Sequence, residues 1–248
     1  VPNVVGLAPE WAESFITAAD LAVGTTTSQG GAITLNFDSL PSRQGWTYQT
    51  ESSVPESRAF SVDGTSLRLD TTGLGVNQTA FYDMFGAVER RWPFKANVRA
   101  QVLSEELALP NNALGMNFTV RGRQVGLFSV GLGAARIQLQ GLEVISFDTA
   151  ASHDYLLEGQ PAQGYRLAVD GVLLRTGAAA LDSDPPSRLR LGDVTFGPNS
   201  RAEISAYSYT QPRVVGQNPP PGTLVPNKPP VDLTIVDGPA TETVPNLV

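Results

Sequence analysis

The sequence of 248 residues has no cysteine and a single histidine, His153. The absence of cysteine excludes disulfides, thiolate nucleophiles and every cysteine-ligated zinc or iron–sulfur site. One histidine excludes a multi-histidine metal site, and any Ser-His-Asp triad would have to use His153 as its base. No apolar run approaches the ~20 residues that span a bilayer. We therefore expect no direct membrane insertion.

The chain is also poor in charge, and the excess is acidic. It has 24 Asp and Glu against 17 Lys and Arg, a formal charge of −7, and charged residues make up only 17% of it. A nucleic-acid partner needs a basic face, so we expect none. The 41% of hydrophobic residues is enough for a core. An acidic, cysteine-free chain with 24 Gly and 19 Pro is typical of bacterial extracellular β proteins, which predicts an extracellular or cell-surface location.

A five-residue motif occurs at both ends of the chain. Val1-Pro2-Asn3-Val4-Val5 returns as Val244-Pro245-Asn246-Leu247-Val248, although Val225-Pro226-Asn227 shows that the first three residues are not rare here. We interpret the chain as one period of a tandem array, with residues 240–248 as a linker and the start of a next repeat. The predicted partners are neighbouring repeats of the same protein.

Each end of the chain contains part of a small α/β unit. A helix is predicted from Pro9, because large apolar residues and alanines recur at helical spacing, with Trp11 as its core anchor. Gly24 is predicted to end the helix. Near the other end, residues 231–236 alternate as a half-buried strand should. Neither end could form a core alone.

The two ends together resemble a PASTA-type domain that is split in two. Residues Val1-Pro2-Asn3-Val4-Val5-Gly6-Leu7 and the alanine-rich helix resemble the first half of such a domain. The second half is similar in Gln217-Asn218-Pro219-Pro220-Pro221-Gly222-Thr223 and the strand that follows. The resemblance implies a discontinuous module of residues 1–29 plus 211–239. It departs from the family in one large way, because residues 30–210 stand where a family member has a short loop.

Residues 30–210 are predicted to form a β-sandwich. Strands of ~5–7 residues that recur every ~8–15 residues indicate two antiparallel sheets. Their order resembles a concanavalin-A-like (laminin-G-like) jelly roll, with an opening Leu35-Asn36-Phe37-Asp38, a tight turn at Asp170-Gly171 and a closing strand at residues 202–209. In that fold the first and last strands pair antiparallel, so a host can accept it as an insertion. The predicted fold class is mainly β: a concanavalin-A-like two-sheet antiparallel sandwich inserted into a small α/β PASTA-like module.

No catalytic constellation is present, which predicts that the chain is not an enzyme. Glycoside hydrolases need two carboxylates at a defined separation, and no strand-spaced string of acids occurs. The adjacent Glu105 and Glu106 would face opposite ways in a strand. Ser152, His153 and Asp154 are consecutive, whereas the members of a triad converge from separate elements. We expect His153 to be an exposed or half-buried residue at a strand edge.

No metal site or cofactor is assigned from the sequence. Ca²⁺ takes ~6–8 oxygen ligands, and an ion at the rim of the sandwich stays open as an alternative. Asp63-Gly64 and Asp170-Gly171 are better explained as turns. The carboxylates that could contribute follow no ligand rhythm; they are Asp38, Asp63, Asp70, Asp148 and Asp193.

Aromatic residues beside polar ones give the ligand-binding candidates. Trp46 and Tyr48 alternate along a predicted strand and so share one face. Arg91 precedes Trp92 and places a guanidinium beside an aromatic ring. These four residues are the candidates for binding glycans or cell-wall material. The alternatives are core packing for Trp46 and an exposed edge stacked on arginine for Trp92.

The predicted function is a non-catalytic structural or adhesive repeat module of an extracellular bacterial surface protein or filament. The sandwich would be displayed for partner or lateral contacts. The alternative is a carbohydrate-binding, lectin-like module, and a glycoside hydrolase is the least favoured. PASTA modules bind cell-wall peptides or act as spacers, and the resemblance implies either role.

Overall fold

A computed structural model describes residues 1–50, 53–74, 79–85, 93–105, 116–120, 127–131, 134–138, 142–146, 148–160, 164–177, 188–193 and 199–237. In these ranges the chain is mainly β, with eighteen strands, two α-helices and one 3₁₀ helix. No helix in these ranges has both the length and the apolar character needed to cross a membrane.

The elements follow in chain order. They are α1 (Pro9–Ala18), β1 (Val23–Gln29), β2 (Ile33–Thr34), a 3₁₀ helix (Pro41–Gln44), β3 (Thr47–Thr50), α2 (Glu56–Ala59), β4 (Phe60–Val62), β5 (Leu67–Asp70), β6 (Ala80–Phe85), β7 (Phe94–Glu105), β8 (Met116–Val120), β9 (Leu127–Gly131), β10 (Ala134–Gln138), β11 (Leu142–Ser146), β12 (His153–Gln160), β13 (Gly164–Val169), β14 (Val172–Gly177), β15 (Arg188–Asp193), β16 (Ser200–Thr210), β17 (Arg213–Asn218) and β18 (Val231–Val236).

Two large antiparallel sheets form a sandwich. The first has the order β11-β10-β9-β8-β15-β6-β3, and the second has the order β14-β13-β12-β7-β16-β5-β4, with β2 paired to β16. Described side chains of both sheets share one core, which includes Tyr82 and Leu189 from the first sheet and Leu157, Leu167 and Tyr209 from the second. Alternate residues of β5 are buried and exposed, as expected for a strand with one face on a core. This architecture is consistent with a concanavalin-A-like sandwich.

A third sheet of three strands joins the two ends of the chain. Its central strand, β18, runs parallel to β1 and antiparallel to β17. α1 packs on this sheet, where Ala12 and Ile16 are fully buried together with Val4 and Leu233. This hydrophobic cluster is separate from the core of the sandwich. We call α1, β1, β17 and β18 the small unit.

The two chain connections between the small unit and the sandwich begin at neighbouring positions of the three-stranded sheet. Gln29 at the end of β1 and Arg213 at the start of β17 pair with Val236 from opposite sides. Since adjacent strands lie ~4.8 Å apart, these two positions are ~10 Å apart. Within the sandwich, Ile33 of β2 lies opposite Tyr209 of β16 in an antiparallel pair. The predicted pairing of the first and last strands of the sandwich is confirmed.

The predicted helix is present, but its buried face is different. Ala12 and Ile16, four residues apart, form the buried stripe of α1, whereas the predicted anchor Trp11 is 40% exposed. The small side chain of Ala12 lies in the contact with the sheet, and the bulky indole is left to one side of it. α1 also ends well before Gly24, which lies in β1. The predictions for Trp11 and for the end of the helix are therefore wrong.

The division into residues 1–29 plus 211–239, 30–210 and 240–248 stays a prediction. So does the PASTA-type identity of the two ends. Residues 240–248, with the second copy of the five-residue motif, lie outside the described residues.

Candidate functional site

Two of the predicted ligand-binding residues pack inside the sandwich. The ring of Trp46 is 3% exposed and contacts Tyr207 edge-on, with ring centroids 5.5 Å apart. Tyr48, on the same face of the chain, donates its hydroxyl to the carbonyl oxygen of Val54 at 2.8 Å and packs edge-on against Phe60. Burial raises the pKa of the Tyr48 phenol. In this geometry both rings serve packing, and the indole of Trp46 has no open face for a sugar.

The other two predicted ligand-binding residues, Arg91 and Trp92, lie outside the described residues. In the described part of the chain, no three potential metal-ligating side chains cluster together. Asp63 illustrates what a carboxylate before glycine does here. Hydrogen bonds from the side chain and backbone of Thr65, followed by that of Ser66, lower the pKa of Asp63 to about 2. This carboxylate organises a turn.

A cleft of about 580 Å³ lies between α1 and one end of the second sheet. This volume is in the range of small-molecule sites. The cleft is lined by residues from the helix and from β7, β12, β13 and β14, among them Trp11, Ser14, Phe94, Lys95, Glu158 and Arg166. It combines aromatic and charged groups, which is the composition that a sugar-binding site needs.

The floor of the cleft is a row of polar residues that crosses four strands. Lys95 on β7, Glu158 on β12, Arg166 on β13 and Thr176 on β14 are successive cross-strand partners. Lys95 Nζ lies 3.3 Å from Oε1 of Glu158, and Nε of Arg166 donates to Oε2. The Glu158 side chain is 12% exposed, whereas that of Arg166 is 52% exposed. The carboxylate is therefore covered by its two cations, and the accessible charge on the floor is positive.

The wall of the cleft opposite this row is α1, which presents Trp11. Since Ala12 and Ile16 face the three-stranded sheet, the indole is left on the side of the helix that lines the cleft. On the sandwich side of the cleft, the ring of Phe94 lies against Gly159, where an added Cβ would overlap the ring. Sequence reasoning missed Trp11 as a site residue. The signal was there in the four-residue spacing of the small apolar side chains, which excludes Trp11 from the buried stripe.

His153, at the start of β12, joins two loops at one rim of the sandwich. Its Nδ1 lies 2.6 Å from Oδ2 of Asp170, and its Nε2 lies 2.5 Å from the backbone oxygen of Asp148. Asp170 and Gly171 form the tight turn between β13 and β14 with φ of +50° and +77°, so the predicted turn is confirmed. Because both ring nitrogens face acceptors, the protonated imidazolium satisfies both. The hydrogen bond to Asp170 accordingly raises the pKa of His153.

The contacts of His153 with Asp170 and Asp148, which we call the clamp, should make the stability of the chain depend on pH. The folded-state pKa of His153 is raised, so its stabilising contribution is complete below the ordinary histidine pKa of ~6.5 and is lost as pH rises through the folded value. His153→Gln removes this contribution. We expect the difference in thermal midpoint between the native chain and the variant to shrink between about pH 6 and pH 9. His153 is the sole histidine, so a difference that stays constant over this interval would contradict the clamp.

No protein-family model and no curated protein matches the chain. Its structure is similar to that of a carbohydrate esterase from the Shiga toxin-encoding bacteriophage phi24B, at 14% identity over 72% of this chain and 98% of that chain (TM-score 0.45). It is also similar to a protein of unknown function from Shewanella oneidensis MR-1, at 10% identity over 84% and 95% (TM-score 0.49). A third similar structure is the botulinum neurotoxin serotype D binding domain, at 8% identity over 74% and 49% (TM-score 0.47). Likenesses at this level identify neither a family nor a ligand for this chain.

Proposed function

We propose that this chain is a non-catalytic structural or adhesive repeat module of an extracellular bacterial surface protein or filament. In this proposal a PASTA-like module of residues 1–29 plus 211–239 carries the sandwich of residues 30–210 and displays it for partner or lateral contacts. One observation supports it above the others. The two ends of the chain share one sheet and one hydrophobic cluster, and the sandwich departs and returns on either side of Val236.

The first residues of the chain are held by the residues that carry the second half of the PASTA resemblance. The side chain of Gln217 accepts from the backbone N–H of Val4 at 2.9 Å and donates to the backbone oxygen of Pro2 at 3.0 Å. The backbone N–H of Gly222 donates to the oxygen of Val1 at 2.9 Å. The five-residue motif is thus a structural part of the small unit. Its second copy at residues 244–248 supports a following unit of the same kind, and hence neighbouring repeats as partners.

Replacing residues 31–210 with four glycines should leave a folded α/β unit. Gln29 and Arg213 are ~10 Å apart, and the four glycines, which alone reach ~13 Å when extended, together with residues 30, 211 and 212 span this distance. We expect mixed helix and strand signal in circular dichroism and a cooperative thermal transition. The matched control carries Ile16→Asp in addition, which puts a charge into the fully buried cluster and should abolish the transition. A glycine-linked chain that is as unfolded as this control would contradict the split module.

A second candidate function, carbohydrate binding, is favoured by one specific observation. The exposed indole of Trp11 faces a cleft whose floor presents accessible cations. Trp11→Ala separates the two candidates, because it should remove any signal on a glycan array while leaving the fold of the small unit intact. A chain that adheres through its sheets alone would give the same array result with and without Trp11.

A further inference from the structure

We propose that the cleft between α1 and strands β7 and β12 to β14 binds an acidic saccharide, with one sugar ring packed on Trp11 and a carboxylate bound by Arg166. The proposal rests on the carbohydrate-binding candidate and names the ligand class of that same cleft. Two features of the cleft support it, the mounting of the indole and the unequal exposure of the charges on the floor, and the position of Glu10 provides a test.

The indole is mounted on a rigid element. Trp11 precedes Ala12 on α1, and both Ala12 and Ile16 are fully buried against the three-stranded sheet. A ring carried on an anchored helix loses little conformational freedom when a ligand packs on it. The C–H groups on one face of a pyranose ring are apolar enough to cover such a surface and remove it from water. Trp11 therefore has the exposure and the support that a stacking platform needs.

The floor of the cleft is equipped for a carboxylate. Glu158 already accepts from Arg166 and lies 3.3 Å from Lys95. Arg166 uses Nε for this contact, and its two terminal amino groups can together donate two parallel hydrogen bonds to a ligand carboxylate. The contact with Glu158 also raises the pKa of Arg166, which stays charged. Half of the Arg166 side chain is exposed, so a ligand can reach it.

Glu10 opposes this binding and gives the proposal a sharp test. It lines the cleft in the first turn of α1, and its charge acts on Arg166 across the cleft. A ligand carboxylate on Arg166 is repelled by Glu10, whereas a neutral sugar is not. Removing the charge of Glu10 should therefore tighten binding of an acidic saccharide and leave a neutral one unaffected.

The test is calorimetric titration of the full chain with two matched probes. One is tetragalacturonate, and the other is its carboxyl-reduced form, the neutral tetragalactose with the same linkage. Hydrogen bonds to charged groups are stronger than neutral ones, so we expect the acidic probe to bind at least about tenfold tighter. Glu10→Gln should increase the affinity for the acidic probe only. Arg166→Gln should reduce the affinity for the acidic probe to that of the neutral one.

Two matched variants control for nonspecific effects. Phe15→Ala removes another half-exposed aromatic from the same helix, outside the cleft lining, and should leave binding unchanged where Trp11→Ala abolishes it. Arg68→Gln removes a comparably exposed arginine on β5, which is paired with Asp63, and should also leave binding unchanged. Thermal midpoints identify any variant that is not folded, and Glu10→Gln tests the charge effect without touching the row on the floor.

The possible outcomes are distinct. Equal affinity for both probes, or a preference for the neutral one, overturns the acidic ligand class, and the carbohydrate-binding candidate stands if Trp11→Ala still abolishes binding. Binding that survives Trp11→Ala overturns the cleft as the site. Absence of binding to both probes overturns the proposal. A Trp11-dependent signal from other sugars on a glycan array would then retain the candidate function.

Discussion

Replacing Gly192 with alanine should lower the free energy of unfolding by about 2 to 6 kcal/mol, because backbone strain and overpacking each cost ~1–3 kcal/mol. Gly192 lies on β15 with φ of +129°, a conformation that side chains rarely adopt. An added Cβ would lie 2.7 Å from the carbonyl oxygen of Ala80 and 2.8 Å from Cα of Phe81. Both atoms belong to the backbone of β6, which is paired to β15 and cannot swing away as a side chain could.

Chemical denaturation of Gly192→Ala and of the native chain measures this loss. The slope of the unfolding free energy against denaturant concentration is compared between the two. Gly216→Ala is the matched control, since Gly216 also lies in a strand but its added Cβ would meet only ordinary contacts at 3.6 Å with Thr234. We expect the control to change stability by less than ~1 kcal/mol. Equal effects of the two substitutions would show that the close approach of β15 and β6 does not constrain this position.

Asp83→Ala should destabilise the chain by about 3–5 kcal/mol, the usual cost of breaking a buried ion pair. The Asp83 side chain is 2% exposed. Its Oδ1 accepts from Nε of Arg190 at 2.7 Å, its Oδ2 accepts from Nη2 at 2.8 Å, and Arg188 Nη1 lies 3.4 Å from Oδ2. Burial and the neighbouring charge of Arg190 lower the pKa of Arg188. Removing the carboxylate would leave the two guanidiniums without their shared counter-ion, where burial already disfavours the charge of Arg188.

The control for this variant is an exposed pair of the same chemistry. Asp154 lies 3.4 Å from Arg99, and both side chains are more than half exposed. Asp154→Ala should cost less than ~1 kcal/mol, because solvent screens such pairs. Urea unfolding of the two alanine variants measures the contrast. A loss of similar size in both would contradict the importance of burial at Asp83.

Local patterns were sufficient to predict a chain made mainly of antiparallel strands, and one turn. Asp170-Gly171 supplies the two positive φ angles that a tight hairpin turn requires, so the residue types alone locate it. Alternation placed Trp46 and Tyr48 on one face of the chain, which is right. Alternation shows which residues share a face of a strand, but it does not show which of the two faces packs on the core. The burial of Trp46 follows from its contact with Tyr207, which is distant in sequence.

The candidate site could not be predicted either, because it is formed by residues that are distant in sequence. Its floor depends on the register that sets Lys95, Glu158 and Arg166 side by side, and its wall comes from a helix at the other end of the chain. The ion cluster of Asp83 likewise joins distant residues, since Arg190 and Asp83 are 107 positions apart in the sequence. No short window contains both partners of such contacts. Sequence patterns therefore describe the parts of this molecule better than the surfaces that form between them.

The arrangement of the small unit has a mechanical consequence. β1 and β18 run parallel, with Val23 opposite Val231 and Gln29 opposite Val236. Tension that enters β1 at Val23 and leaves β18 at Val236 pulls on opposite ends of this ladder and loads its hydrogen bonds together in shear. The force then crosses between the two strands and bypasses the covalent detour through residues 30–210. While the hydrogen bonds between β1 and β18 are intact, the sandwich carries no tension. Stretching the small unit therefore does not distort the sandwich.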